Sequence, residues 1–170
     1  MTVRGFPPIA DRNARLLILG SMPGIASLEA HQYYAHPRNA FWPIVEALWQ
    51  VPRGLDYPAR VAALRDAGVA VWDVLAQCRR PSSLDSDIDA DSIVVNDFQE
   101  FFRAHPAIRL IGFNGGTAAT LYRRHVLPRL TGKSRELKAV QLPSTSPAHA
   151  GRTLQQKLKA WRQLLELPHP

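Results

Sequence analysis

Four short segments of the sequence hold residue types that could do chemistry. The densest is Tyr33-Tyr34-Ala35-His36-Pro37-Arg38-Asn39-Ala40-Phe41-Trp42, with four of the chain's 14 aromatic side chains. Phe41 and Trp42 read as core. Tyr34 reads equally as core and as a stacking surface, because a phenol hydroxyl favours a partly wet place. Asn39 has the residue type of a helix N-cap. Pro43 then falls four residues past that cap, where a helical N–H is normally needed, so a simple cap fits imperfectly. The other segments are Gly20-Ser21-Met22-Pro23-Gly24, Asn114-Gly115-Gly116 and Pro143-Ser144-Thr145-Ser146-Pro147-Ala148-His149. Together they offer amides, hydroxyls and rings without an obvious carboxylate pair.

Several familiar chemistries fail on spacing. Gly112-Phe-Asn-Gly-Gly-Thr117 lacks the Gly-Lys-Ser/Thr ending of a phosphate-binding loop and is not GxGxxG. Its glycines serve equally well for a tight strand-to-helix turn. The run Asp85-Ser-Asp-Ile-Asp-Ala-Asp91 has Ala90 and Asn96 where a calcium loop needs Gly and Glu, so turn formation and capping explain it better. His31, His36, His105, His125, His149 and His169 form neither an i,i+4 pair nor HExxH. Cys78 has no local support as a nucleophile, and GxSxG is missing. Neither a metal nor a cofactor is expected.

These segments need a scaffold. Short apolar runs at Arg15–Leu19, Val69–Val74, Arg109–Phe113 and Lys138–Leu142 read as strands buried on both faces. Helix-like stretches separate or follow them at Phe41–Trp49, Ala59–Ala67, Asp97–Ala104, Thr117–Val126 and Leu154–Leu165. The alternation predicts a three-layer α/β/α fold around a four-stranded parallel sheet, in one domain over residues 1–170. In a parallel sheet the loops after all four strands leave along one edge, where open α/β sheets bind ligands. That edge would gather Gly20–Gly24, the segment from Asp73 to Arg80, Asn114–Gly116 and Pro143–His149.

A chain of 170 residues, 46% hydrophobic and 21% charged, suits one folded domain. A lone cysteine excludes an internal disulfide. No apolar run reaches the roughly 18–20 residues that cross a bilayer. The N-terminus lacks the order of a signal peptide. A cytoplasmic, monomeric protein without a membrane partner is the expectation. The net charge is +7, and ten of the 21 Lys and Arg but only two of the 14 Asp and Glu lie beyond residue 120. So one-sided an excess suits a polyanion, or equally a solvated basic surface.

With the motifs placed, the chain resembles the uracil-DNA glycosylase superfamily, and within it the hypoxanthine-DNA glycosylases, with similarity to the mismatch-specific uracil and thymine enzymes. Gly20-Ser21-Met22-Pro23-Gly24 resembles the first motif, G-x-x-P-G. His36-Pro37-Arg38-Asn39-Ala40-Phe41-Trp42 resembles the HPxNxFW segment. Phe113-Asn114-Gly115 resembles a base-recognition strand end, and Leu142–His149 the second motif, a loop that wedges into DNA. Met22 stands where mismatch-specific members carry a water-positioning Asn, and Ser144 where strong uracil-excising members carry a His. The hypoxanthine branch is expected to use the Asn of HPRNAFW instead.

The resemblance implies excision of a deaminated base, hypoxanthine foremost, from DNA. It implies that Asn39 positions the attacking water and that Tyr34 stacks on the flipped base. Asn114 would read its polar edge, beside Gly20, Ser21, Met22 and Pro23. Ser144, Thr145, Ser146, Pro147, Ala148 and His149 would fill the vacated space, with Lys138 and Arg152 on phosphates. Uracil or mismatch excision, non-catalytic lesion binding and small-molecule nucleoside hydrolysis are the competing readings. The last explains neither the basic third nor the wedge-like loop.

Overall fold

The computed structural model describes residues 1–166, so His169 lies outside the described residues. In chain order the elements are β1 (Thr2–Arg4), β2 (Leu16–Gly20), α1 (Ile25–Ala30), α2 (Phe41–Trp49), α3 (Tyr57–Asp66), β3 (Val69–Asp73), β4 (Leu75–Arg79), β5 (Val94–Val95), α4 (Phe98–Ala104), β6 (Leu110–Asn114), α5 (Gly116–Leu121), β7 (Lys138–Leu142) and α6 (Leu154–Trp161). The four apolar runs become a parallel sheet in the order β3-β2-β6-β7. All residues of β2 and β3 are buried, which is why both runs are nearly all apolar.

Side chains alternate between the two sheet faces. Leu17, Leu19, Ala70, Trp72, Ile111 and Phe113 pack on one side, against Phe98, Phe101 and Phe102 of α4 and Ala118 and Ala119 of α5. Leu16, Ile18, Val69, Val71, Leu110 and Leu142 pack on the other, against α2, α3 and Trp161 of α6. This is the expected three-layer arrangement. The same alternation puts residues 20, 73 and 114, the last residues of their strands, on the α2 side. Register sets Gly20 beside Asp73 and Asn114 beside Leu142.

Several local readings need correction. A small antiparallel sheet, β1-β4-β5, lies beside the main one. Only Val74 separates β4 from β3, so no turn residues announce it. Helix α1 follows the first motif. The predicted helix over Thr117–Val126 is α-helical only to Leu121 and continues as a wide turn through Val126. The predicted Leu154–Leu165 helix tightens after Trp161.

The Pro43 objection also dissolves. The N-cap of α2 is Ala40, so Pro43 is the third helical residue, where no intrahelical N–H bond is lost. Asn39, one residue earlier, accepts the Phe41 N–H at 2.9 Å through Oδ1. Among the described residues no helix is long and apolar enough to cross a membrane.

Candidate active site

At the carboxyl edge of the sheet the four loops enclose a cavity of about 340 Å³, within the size range of ligand sites. Gly20, Tyr34, Asn39, Asn114 and the loop Ser144–His149 all border it. Among the described residues no three His, Cys, Asp or Glu side chains cluster as metal ligands would.

The segment before α2 is held from several directions. Trp42 Nε1 donates to the Tyr33 carbonyl at 3.0 Å, Ala40 N–H to the Thr145 carbonyl at 2.9 Å, and Asn39 N–H to the His36 carbonyl at 2.9 Å. Tyr34 is thereby kept in the left-handed region, φ 55°, an uncommon place for a bulky residue. Its ring stacks on Phe41 with centroids 4.0 Å apart, so only the opposite face can meet a ligand. The bond from Phe41 N–H fixes which end of the Asn39 amide is oxygen. Nδ2 of Asn39 has no protein partner among the described residues.

Asn114 is less free than the sequence suggests. Its Oδ1 accepts the Thr145 N–H and its Nδ2 donates to Thr145 Oγ1, both at 2.9 Å. One N–H and one lone pair of the amide remain for a ligand. Thr145 is only 1% exposed and its hydroxyl and N–H are taken. Thr145, expected among the residues that fill the vacated space, is the bolt joining β6, the second-motif loop and the segment before α2. Gly115, at φ +98°, permits the close approach, since a Cβ there would sit 3.1 Å from Ser144 Cβ.

The rest of the loop after β7 is braced. Trp161 Nε1 donates to the Pro143 carbonyl at 2.9 Å and Lys157 Nζ to the His149 carbonyl at 2.8 Å. Ser144 and Ser146 hydroxyls accept the N–H groups of Ser146 and Ala148. Ala148 and His149 are exposed at the tip, and Pro147 is half-buried. Arg152 is exposed just beyond. Lys138 is not beside this loop. It is the first residue of β7, so the strand's length, about 13 Å, separates it from the cavity edge. Lys138, expected on a phosphate, thus lies at the opposite end of β7 from the loop tip.

The first-motif loop is tied down from behind. Ser21 Oγ donates to Asp85 Oδ1 at 2.6 Å, Ile25 N–H to Ser83 Oγ at 2.8 Å, and the buried Arg80 to the Pro23 carbonyl. The acidic run after Arg80 is thus a strap over the first motif. Met22 is buried in the core cluster. The backbone N–H groups of Met22 and Gly24 have no protein acceptor among the described residues.

Sequence reasoning put Asp73 at this edge but gave it no role. It ends β3 next to Gly20, is 4% exposed, and borders the same cavity. Burial pushes its carboxyl up to about 7; Asp85 adds to the rise and Arg80 opposes it. Burial likewise raises the Tyr34 phenol, with Asp73 contributing, while the nearby Asn114 amide opposes the rise. The available signal was a lone carboxylate closing an otherwise apolar strand.

The chain matches the family profile of the uracil DNA glycosylase superfamily over residues 7–165. It is 37% identical over 150 residues to a protein of Methanosarcina acetivorans named hypoxanthine DNA glycosylase, covering 88% of this chain and 89% of that one. A Methanosarcina barkeri protein of the same name is 36% identical over 116 residues, covering 68% of this chain and 72% of its own. The solution NMR structure of a candidate uracil DNA glycosylase from Methanosarcina acetivorans superposes with a TM-score of 0.78 at 30% identity. That match covers 98% of this chain and all of the other.

Proposed function

The chain belongs to the uracil DNA glycosylase superfamily, and from that premise we propose that it is a monofunctional DNA glycosylase that excises hypoxanthine. A base in a duplex is out of reach, so the nucleotide is extruded at a cost of a few kcal/mol, least for a mispaired base. Pro147, Ala148 and His149 at the loop tip fill the gap, and Arg152 holds phosphate. The extruded base enters the cavity and stacks on the free face of Tyr34, a contact worth about 1–3 kcal/mol in single-strand binders.

The bond between C1′ and the base nitrogen then breaks, and its electron pair leaves with the base. Positive charge develops on the sugar, so a weakly activated water suffices. The water oxygen bonds to C1′, and its proton is released to solvent or to the departing base. Asn39 supplies the second lone pair of Oδ1 to orient that water, and Nδ2–H to steady developing negative charge. The free Met22 and Gly24 N–H groups add donors nearby. An amide cannot deprotonate water, so turnover is modest.

The observation that carries this reading is the Asn39 amide, oriented by the Phe41 N–H and bordering the same cavity as Tyr34 and Asn114. Met22 in the core leaves the first motif without a water-holding amide, which favours hypoxanthine over uracil.

The test is a panel of single- and double-stranded oligonucleotides bearing hypoxanthine, uracil, xanthine or mismatched thymine, treated with alkali to cleave abasic sites. Scission is expected first at hypoxanthine. Binding without scission under single-turnover conditions would leave a lesion-binding protein. Preferred scission at uracil would move the chain to the mismatch-specific reading.

A further inference from the structure

The Asp73 carboxyl stands in the cavity without a job in the reaction above. Its Oδ2 is buried and has no hydrogen-bond partner among the described residues. The Tyr34 hydroxyl is also buried and makes no well-formed hydrogen bond, although the Asn114 amide lies close to it. Both groups reach the space over Gly20: a Cβ there would lie 2.5 Å from Asp73 Oδ1 and 2.9 Å from Tyr34 Oη. Glycine at position 20 is what lets a carboxyl and a phenol share this wall. Buried polar groups are normally paired, and an exception asks for a ligand or a function. The carboxyl is not loosely placed. Asn96 Nδ2 donates to the Asp73 carbonyl at 2.8 Å and fixes the strand end, leaving the side chain unused.

We propose that Asp73 is a specificity-determining residue that reads the lactam edge of the extruded base, the ring N–H beside a carbonyl. The proposal rests on the glycosylase reading above. A neutral carboxyl offers one O–H donor beside one carbonyl acceptor. With its buried Oδ2 turned toward the cavity, it meets a lactam with two parallel hydrogen bonds, O–H to the base carbonyl and ring N–H to the acid carbonyl. Hypoxanthine and uracil both carry that edge. An ionised carboxylate has only acceptors and opposes the base carbonyl with charge. The protonated form is therefore the reading form.

Burial keeps that form available near neutrality, with the carboxyl titrating at about 7. The groups around it are Arg80 at the end of the β4 segment, Asp85 in the strap, and the phenols of Tyr33 and Tyr34 before α2. His36 and His149 border the same cavity. Gly20 and Met22 bring no charge.

The experiment measures single-turnover excision of hypoxanthine by the wild type, Asp73→Asn and Asp73→Ala between pH 5.5 and 9. It includes an oligonucleotide bearing 1-methylhypoxanthine, whose ring N–H is replaced by methyl. Wild-type excision is expected to fall about tenfold per pH unit well above 7. Asp73→Asn, which keeps a donor beside an acceptor at every pH, is expected to retain excision and lose that fall. Asp73→Ala is expected to lose tenfold or more on hypoxanthine and to shrink the gap between the two bases. The wild type alone is expected to prefer hypoxanthine over its methyl analogue by at least tenfold, a comparison that needs no variant to fold. Equal wild-type rates on the two bases would overturn the proposal. So would an alkaline limb that persists in Asp73→Asn, which would belong to another group. A wild type inactive on every lesion would instead sink the glycosylase reading itself.

Discussion

Asn114 and Thr145 grip each other through two hydrogen bonds of 2.9 Å, and Thr145 also accepts the Ala40 N–H through its carbonyl. Two of the four strand-end loops and the segment before α2 are thus joined at one buried residue. Thr145→Val keeps the shape and removes the hydroxyl, stranding one Asn114 N–H. The expected cost is about 1–3 kcal/mol of stability, read by thermal or urea unfolding. Excision should fall by more than that loss of folded protein explains, because the Asn39 segment hangs on the same residue. Unchanged excision and stability would make the pair incidental.

Asn39 does two things at once, and two substitutions separate them. Asn39→Asp keeps an acceptor for the Phe41 N–H and removes the amide donor. Asn39→Ala removes both. Stability should hold in the first and drop by about 0.5–1.5 kcal/mol in the second, the usual range for one lost hydrogen bond. Excision should be abolished in both, while binding to an inosine duplex is largely kept. Retained excision by either variant would remove Asn39 from its proposed role.

Asp73 also predicts how stability depends on pH. Its carboxyl rises from an unfolded value near 3.8 to about 7 in the fold, so between those values the native state binds more protons. Stability from this group is complete below about 4 and is lost as pH rises through 7. The full shift corresponds to at most roughly 4 kcal/mol. Asp73→Asn lacks the titration. It should unfold at a higher temperature than wild type at pH 8, and the difference should shrink toward pH 4. A constant difference across that range would mean that the carboxyl does not titrate in this window.

The sheet and its edge were legible because β2, β3 and β6 are almost wholly apolar, and a run buried on both faces has few other readings. Gly20 and Asn114 could be placed at one edge from that alone. Asp73 falls there too, at the start of the Asp73–Arg80 segment: it closes the second apolar run, and two-residue periodicity puts it on the Gly20 face. What hid its role was the search for a pair of carboxylates, when a single one becomes unusual only through burial. The role of Thr145 was illegible, since its partners are 31 and 105 residues away. The β1-β4-β5 sheet was illegible because strands of two to five residues with mixed exposure carry little pattern.

The basic third of the chain divides by position rather than acting as one patch. Lys133, Arg135 and Lys138 precede or begin β7 at the amino edge of the sheet. Lys157 is buried, and its ammonium is committed to the His149 carbonyl. Arg152 is the exposed cation nearest in sequence to the loop tip. Each phosphate contact adds about 0.9 to the slope of log affinity against log salt. Arg152→Glu is therefore expected to weaken binding to an inosine duplex and flatten that slope by about one contact. Lys138→Glu makes the same change in net charge at the far edge and should leave the slope nearly unchanged. Lys157→Glu should instead lower stability and excision together, by releasing the loop. Salt titrations of the three variants in a fluorescence anisotropy assay measure all of this. Equal slopes for Arg152→Glu and Lys138→Glu would mean that DNA senses only the overall charge.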